Sequence, residues 1–227
     1  MFEGEERLRS LVLVAALVAG ASYIISWSLP LSLDAHLVWK GAGVGLLALY
    51  AGLSARNLDG WLICLALALG ALGDVLLDAM PNPTAGALAF LGGYVVATGL
   101  YLRNRLDTPT RAQILLALAL VPVVIALSSL LAANPMAATY LSVYSLGLAL
   151  MAGTAWTSRF PHNLTGVGAL MLVGDNILLF ARFGPWPHAP GINLAIWILY
   201  FGGQTLICLG VIRTLKELGP RPLVSAF

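Results

Sequence analysis

The chain has 227 residues, of which 59% are hydrophobic and only 10% charged, with a formal net charge of +2. An average soluble chain is roughly one quarter charged, so this composition, with a mean hydropathy of +0.90, is that of an integral membrane protein. The mild basicity, pI near 8.7, gives no argument for a nucleic-acid partner, and no segment is polar enough to fold as a separate soluble domain.

A helix needs about 20 largely apolar residues to cross the hydrocarbon core. Eight windows meet that requirement: Leu11–Leu29, Leu37–Leu53, Trp61–Ala79, Ala85–Leu102, Ala112–Leu131, Met136–Thr157, Leu164–Phe183 and Ile192–Ile212. The expected fold is therefore all-α, a single membrane domain over residues 1–227 forming a polytopic bundle of eight transmembrane helices. The first window follows Glu3, Glu5, Glu6, Arg7 and Arg9 and contains serines, Tyr23 and Trp27. It reads as a helix of the mature protein and not as a cleaved signal segment.

Turn and breaker residues separate the windows: Leu29-Pro30, Arg56-Asn57-Leu58-Asp59-Gly60, Met80-Pro81-Asn82-Pro83, Asp107-Thr108-Pro109, Asn134-Pro135, Phe160-Pro161-His162-Asn163 and Gly184-Pro185-Trp186-Pro187. Pro122 falls inside the fifth window and predicts a kink there. Cys64 and Cys208 lie in apolar runs without metal or redox spacing and read as small buried hydrophobes.

Basic residues report topology. Arg7, Arg9, Arg56, Arg103, Arg105, Arg111, Arg159, Arg213, Lys216 and Arg221 fall on the side of the termini, against Lys40 and Arg182 on the other. By the positive-inside rule both termini face the cytoplasm, and a bacterial inner membrane is the expected location. Trp61, Trp156, Trp186 and Trp197, near helix ends, are expected to anchor at the membrane interfaces.

One pattern is met twice. Leu72-Gly73-Asp74 in the third window returns as Val173-Gly174-Asp175 in the seventh, and Gly92-Gly93 in the fourth returns as Gly202-Gly203 in the eighth. Corresponding features four helices apart suggest a 4+4 parallel repeat.

An ionisable residue inside a membrane span costs about 2.5–3.5 kcal/mol on insertion scales and usually faces the bundle interior or a cavity. Asp74 falls about two thirds of the way across the third helix counted from the cytoplasm, and Asp175 falls at a similar depth. Asp78 is i+4 from Asp74 and shares its face, so three carboxylates are expected to converge. A single such acid is as often structural, hydrogen-bonded to Asn176, Tyr101 or Gln204, as functional. The repetition of the Gly-Asp setting favours function. Two adjacent carboxyls resist simultaneous ionisation, which leaves an acid beside a base.

Other chemistries have less support. His36 and His188 belong to one side and His162 to the other, so the three do not converge on a metal, and no cofactor is expected. Ser22, Ser26, Ser28, Ser128, Ser129, Ser142 and Ser145 read as interhelical hydrogen-bonding residues, since none has a Gly-x-Ser-x-Gly setting. There is no phosphate-binding loop or dinucleotide fingerprint.

Gly73-Asp74, Phe90 through Tyr101, Gly174-Asp175 with Leu178 and Leu179, and Tyr200-x-x-x-Gln204 together resemble the YhhN family, which includes the lysoplasmalogenases. The resemblance implies an eight-helix membrane protein that hydrolyses the vinyl ether bond of lysoplasmalogen, releasing a fatty aldehyde and a glycerophospho-base. It maps the acidic positions onto Asp74 and Asp175, tyrosines onto Tyr101 and Tyr200, and a glutamine onto Gln204. The family's aromatic-x-x-x-His-x-x-Tyr run reads here Tyr94 through Tyr101, with Thr98 in the histidine position.

Vinyl ether hydrolysis needs a proton donor to the alkene carbon, a carboxylate beside the resulting oxocarbenium-like cation, and water. Two unequal aspartates supply the first two, by analogy with glycosidases. Asp74 and Asp175 are thus the catalytic candidates, with Asp78, Tyr94, Thr98, Tyr101, Asn176, Tyr200 and Gln204 as binding or orienting residues. The expected partners are a lysophospholipid substrate and membrane lipid, with no obligate protein partner. Two alternatives stay open: a proton-coupled carrier for a lipid or small solute, suggested by the repeat and the intramembrane acids, and a non-catalytic lipid-binding protein, suggested by Thr98.

Overall fold

A computed structural model describes residues 2–218; the side chain of Glu3 and the whole of Arg221 lie outside the described residues. Eight helices long and apolar enough to cross a membrane are present among them. They are α1 Phe2–Ser26, α2 Leu33–Ser54, α3 Leu58–Ala79, α4 Thr84–Arg103, α5 Arg111–Leu130, α6 Pro135–Trp156, α7 Val167–Phe183, preceded by a π-helical turn His162–Gly166, and α8 Ile192–Leu218. The chain is an all-helical bundle of eight candidate spans.

The helix starts are set by the turn residues. Asn57 and Asn134 accept from the amides of Gly60 and Ala137 through their side chains, Pro135 occupies the first turn of α6, and Thr110 with Gln113 forms a capping box at α5. Each satisfies amides that have no intrahelical partner. α5 remains helical through Pro122. The polar ends of α1 and α8 extend well beyond their apolar windows, because Glu5–Arg9 and Arg213–Glu217 pair at i,i+4.

α3, α4, α6, α7 and α8 enclose the centre; α2 packs against α3 and α8, α1 lies outside on α2 and α8, and α5 lies outside on α6 and α7. α2 on α8 and α6 on α4 are pairs that a four-helix repeat would relate. The contact of α3 with α8 has no counterpart between α7 and α4, whose backbones stay apart among the described residues. Small residues permit the closest crossings. A Cβ on Gly168 would lie 2.7 Å from the Gly203 carbonyl oxygen, and one on Gly203 would lie 2.8 Å from that of Gly168, so the α7 and α8 backbones touch.

The serines of α5 and α6 join these helices directly. Ser145 donates to Ser128 at 2.6 Å and Ser129 meets Ser142 at 3.0 Å, the interhelical role read from the sequence. Cys208 is buried as expected, whereas Cys64 is only half-buried, beside Gly52 of α2. Trp197 departs from expectation. It is buried, donates its indole N–H to the Gly20 carbonyl of α1 at 2.8 Å and stacks on Phe201. The cause is facing: Trp197 and Phe201, at i and i+4, share the side of α8 that meets α1. Trp61 and Trp186 remain exposed near helix ends.

The basic residues gather at one end of the bundle, here called the basic end. Glu5 bridges Arg9 and Arg56, Lys216 sits over the Tyr50 ring, and Arg105 pairs with Ser158 in an isolated bridge. At its centre Asp59, 2% exposed, accepts from Arg103 Nε at 2.9 Å and from Asn104 Nδ2 at 3.0 Å, while Asn104 Oδ1 accepts from Arg159 at 2.8 Å. Asn104 thus ties the α4–α5 connection to α3 and to the α6–α7 connection. Asn104→Ala should lower stability by about 1–3 kcal/mol, the cost of leaving buried polar partners unmet, measured by thermal unfolding in detergent.

Candidate functional site

Asp74 and Asp175 are both buried, 3% and 4% exposed. Asp74 lies five residues before the end of α3 and Asp175 eight before the end of α7, about 7.5 and 12 Å from the end of the bundle opposite the basic one. Burial of a carboxyl is tolerated where polar atoms meet it, and each has its own partner. Tyr200 of α8 donates to Asp74 Oδ2 at 2.8 Å, and Asn176 Nδ2 donates to Asp175 Oδ1 at 2.9 Å.

A relay on α4 and α6 continues from Asp175. Asn176 Nδ2 also approaches the Tyr94 hydroxyl at 3.1 Å, and Tyr144 donates to the same hydroxyl at 3.1 Å. Phe90, one turn before Tyr94, packs edge-on against Tyr200 with ring centroids 5.7 Å apart. The two acids are therefore joined through α4 and α8, although their own helices, α3 and α7, make no backbone contact among the described residues.

Glycines decide how closely these rings approach. A Cβ on Gly73 would lie 2.8 Å from the Phe90 ring, so the glycine beside Asp74 makes room for Phe90. A Cβ on Gly70, one turn earlier, would lie 3.1 Å from Gln204 Nε2 and 3.4 Å from the Tyr200 hydroxyl. Tyr200 and Gln204, at i and i+4, thus face α3 together. Gly174 by contrast only adjoins Leu199.

Beneath the acids runs a small central cavity whose lining includes Gly70, Phe90, Tyr94, Tyr101, Met151 and Gln204. The space open to the centre of a water molecule is about 20 Å³, enough for roughly one water and far too little for a lipid chain without separation of the helices. Tyr101 lies at its basic-end limit, fully buried against Phe160, with a hydroxyl that has no hydrogen-bond partner among the described residues.

Among the candidate residues, Asp74 meets Tyr200, Asp175 meets Asn176 and through it Tyr94, and Gln204 stands beside Tyr200. Three stand apart. Asp78 does not join the other carboxylates but pairs with Lys40 Nζ at 2.7 Å. Tyr101 is separated from the acids by the length of the cavity, and Thr98 is half-buried and outside the cavity lining. His36 meets Tyr23 and His162 meets Gln113, on different parts of the bundle.

Sequence reasoning misses Tyr144 and Lys40. Tyr144 stands mid-span in an apolar helix, where a hydroxyl needs a partner, and that is the available signal. Lys40 counts in the sequence only as a charge reporting topology, but α2 begins at Leu33, so its ammonium starts about two turns inside the helix.

The sequence profile of the YhhN family matches residues 35–211, from the first turn of α2 to the last turns of α8. The chain belongs to the YhhN family. No curated protein and no solved structure matches it significantly. The family match encloses every residue of the acid centre and leaves out α1 and the connection that follows it.

Tyr200→Phe leaves Asp74 without its phenol donor. It should lower stability by about 1–3 kcal/mol, whereas Tyr140→Phe, on the exposed face of α6, should stay within about 0.5 kcal/mol; denaturation of the two purified variants side by side checks this.

Proposed function

We propose that this YhhN-family protein is a membrane-embedded hydrolase of the lysoplasmalogenase type, cleaving the vinyl ether bond of a lysophospholipid between Asp74 and Asp175. The observation that carries the reading is the pair of buried carboxyls, each held by a different hydrogen-bond donor, Tyr200 for one and Asn176 for the other. Asp59 offers the contrast, since its carboxylate is occupied by Arg103 and Asn104. Those partners account for it structurally, whereas Asp74 and Asp175 are held by neutral donors.

In this reading Asp175 gives its proton to the alkene carbon, which forms a C–H bond as the π electrons leave the ether carbon. The cation so formed is shared with the ether oxygen. Asp74, fixed by Tyr200, stabilises that cation and takes a proton from the water that attacks it. The resulting hemiacetal passes its hydroxyl proton to Asp175 as Asp74 gives its proton to the departing glycerol oxygen, so the C–O bond breaks to a fatty aldehyde and a glycerophospho-base. Both aspartates thereby regain their starting states. Asn176 holds Asp175 and is itself met by the Tyr94 hydroxyl, and Gln204 and Gly70 shape the space where the reacting carbon sits. A bilayer interior withholds water; the cavity with room for about one water is lined by Gly70, Tyr94 and Gln204, neighbours of the acids, and not by the acids themselves.

The test is aldehyde release from lysoplasmalogen by the purified protein. Asp74→Asn and Asp175→Asn should each reduce turnover by about 10²-fold or more, the weight of a general acid or base, and undiminished turnover in either would refute the assignment. A non-catalytic lipid-binding role is the second reading, favoured by Thr98 in the histidine position. If wild type binds lysolipid without turnover and Thr98→His also fails to release aldehyde, that second reading stands in place of the first.

A further inference from the structure

Lys40 stands on the inward side of α2. It shares a helical face with Gly43, Val44 and Leu47, all of them buried. Val44 meets α3 at Gly70, where an added Cβ would lie 3.7 Å from Val44 Cγ1. The short connection between α2 and α3 makes them antiparallel neighbours, so one turn from that contact Lys40 comes level with Asp74. Its stem rises a further turn to donate from Nζ to Asp78 Oδ2 at 2.7 Å, with the lysine side chain only 14% exposed.

A cation in so apolar a place acts beyond its own ion pair, because little water screens it. Asp74 is the next acid along α3, and the charges of Lys40 and Asp78 both act on it. The other titratable groups facing Asp74 are Tyr94 of α4, Asp175 of α7 and Tyr200 of α8. Tyr23 of α1 lies further out and is joined to His36 by a 2.8 Å hydrogen bond. Phenols are uncharged at neutral pH, so the positive charge acting on Asp74 is that of Lys40. Asp175 is placed differently. Its helix makes no backbone contact with α2 or α3 among the described residues, and its carboxyl is met by the neutral Asn176 amide.

We propose that Lys40 is a positioning residue for the reaction: its charge makes Asp74 the first of the two aspartates to ionise, which leaves the proton on Asp175 and so fixes which is base and which is acid. These roles rest on the hydrolase reading; the order of ionisation does not. Asp78 shares the ammonium and limits its pull, so Asp74 remains basic enough to take a proton from water. Lys40 itself neither gains nor loses a proton.

The full-length protein in phosphatidylcholine vesicles is titrated by infrared difference spectroscopy, with the protonated C=O band of each aspartate identified by its loss in Asp74→Asn or Asp175→Asn. Aldehyde release is followed over the same pH range. In wild type the Asp74 band should vanish at a lower pH than the Asp175 band. Lys40→Met, which leaves Asp78 as a bare anion, should move the Asp74 titration and the acidic limb of turnover up by about one pH unit, and Asp78→Asn, which leaves the ammonium undivided, should move both down by about as much. Lys40→Arg should keep both near their wild-type positions. If the pair is only a clasp between α2 and α3, both charge-removing variants lose stability and turnover without opposed shifts of the Asp74 band, and that result overturns the proposal. Asp175 ionising first in wild type overturns it as well. Opposed shifts of the band without aldehyde from wild type at any pH would uphold the hold of Lys40 on Asp74 and refute the hydrolase reading instead.

Discussion

A carboxyl group in a membrane-spanning bundle must find polar atoms or be expelled, and that requirement organises this protein. Three buried aspartates meet it in different ways. Asp59, at the basic end, has an arginine and an asparagine; Asp74 has a phenol; Asp175 has a neighbouring amide. Because each partner comes from a defined helix, the acids also determine which helices can adjoin. Asp59, through Asn104, gathers the connections that precede α5 and follow α6, and Asp74 draws α8 against α3. Asn176 carries Asp175's network to α4.

The eight spans are legible because a helix crossing hydrocarbon needs a long apolar run and the breaks between runs are marked by Pro, Gly and Asn. Asn57, Thr110 and Asn134 serve as caps in or beside the turn clusters read from sequence. Asp74 and Asp175 stand out for the same reason, as charges where charge is costly. What sequence does not supply is facing. Trp197 has the position of an interfacial anchor, yet its ring belongs to the interior face of α8. Asp78 shares a helical face with Asp74 but is captured by Lys40 across the helix pair, and Asp59 passes for a turn residue although it is among the most buried acids described.

Glycine is legible only in part. Gly-rich runs announce close packing, but which glycine admits which neighbour depends on crossings between helices remote in sequence. Gly73 serves the Phe90 ring, Gly70 serves Gln204 and Tyr200, and Gly168 with Gly203 lets two backbones meet. The repeated Gly-Asp pattern therefore conceals an inequality, since Gly174 has a looser neighbour than Gly73 does.

The separation of α4 from α7 has a mechanical consequence. Around the centre the helices close a ring in the order α3, α4, α6, α7 and α8, each adjoining the next, and α7 is locked to α8 at Gly168 and Gly203. α4 and α7 face each other across this ring with α6 beside both, and the Tyr94–Asn176 contact links them side chain to side chain through the interior. Side chains change rotamer far faster than packed helices slide. The polar link beside Asp175 can consequently rearrange while the ring of helices around it stays closed.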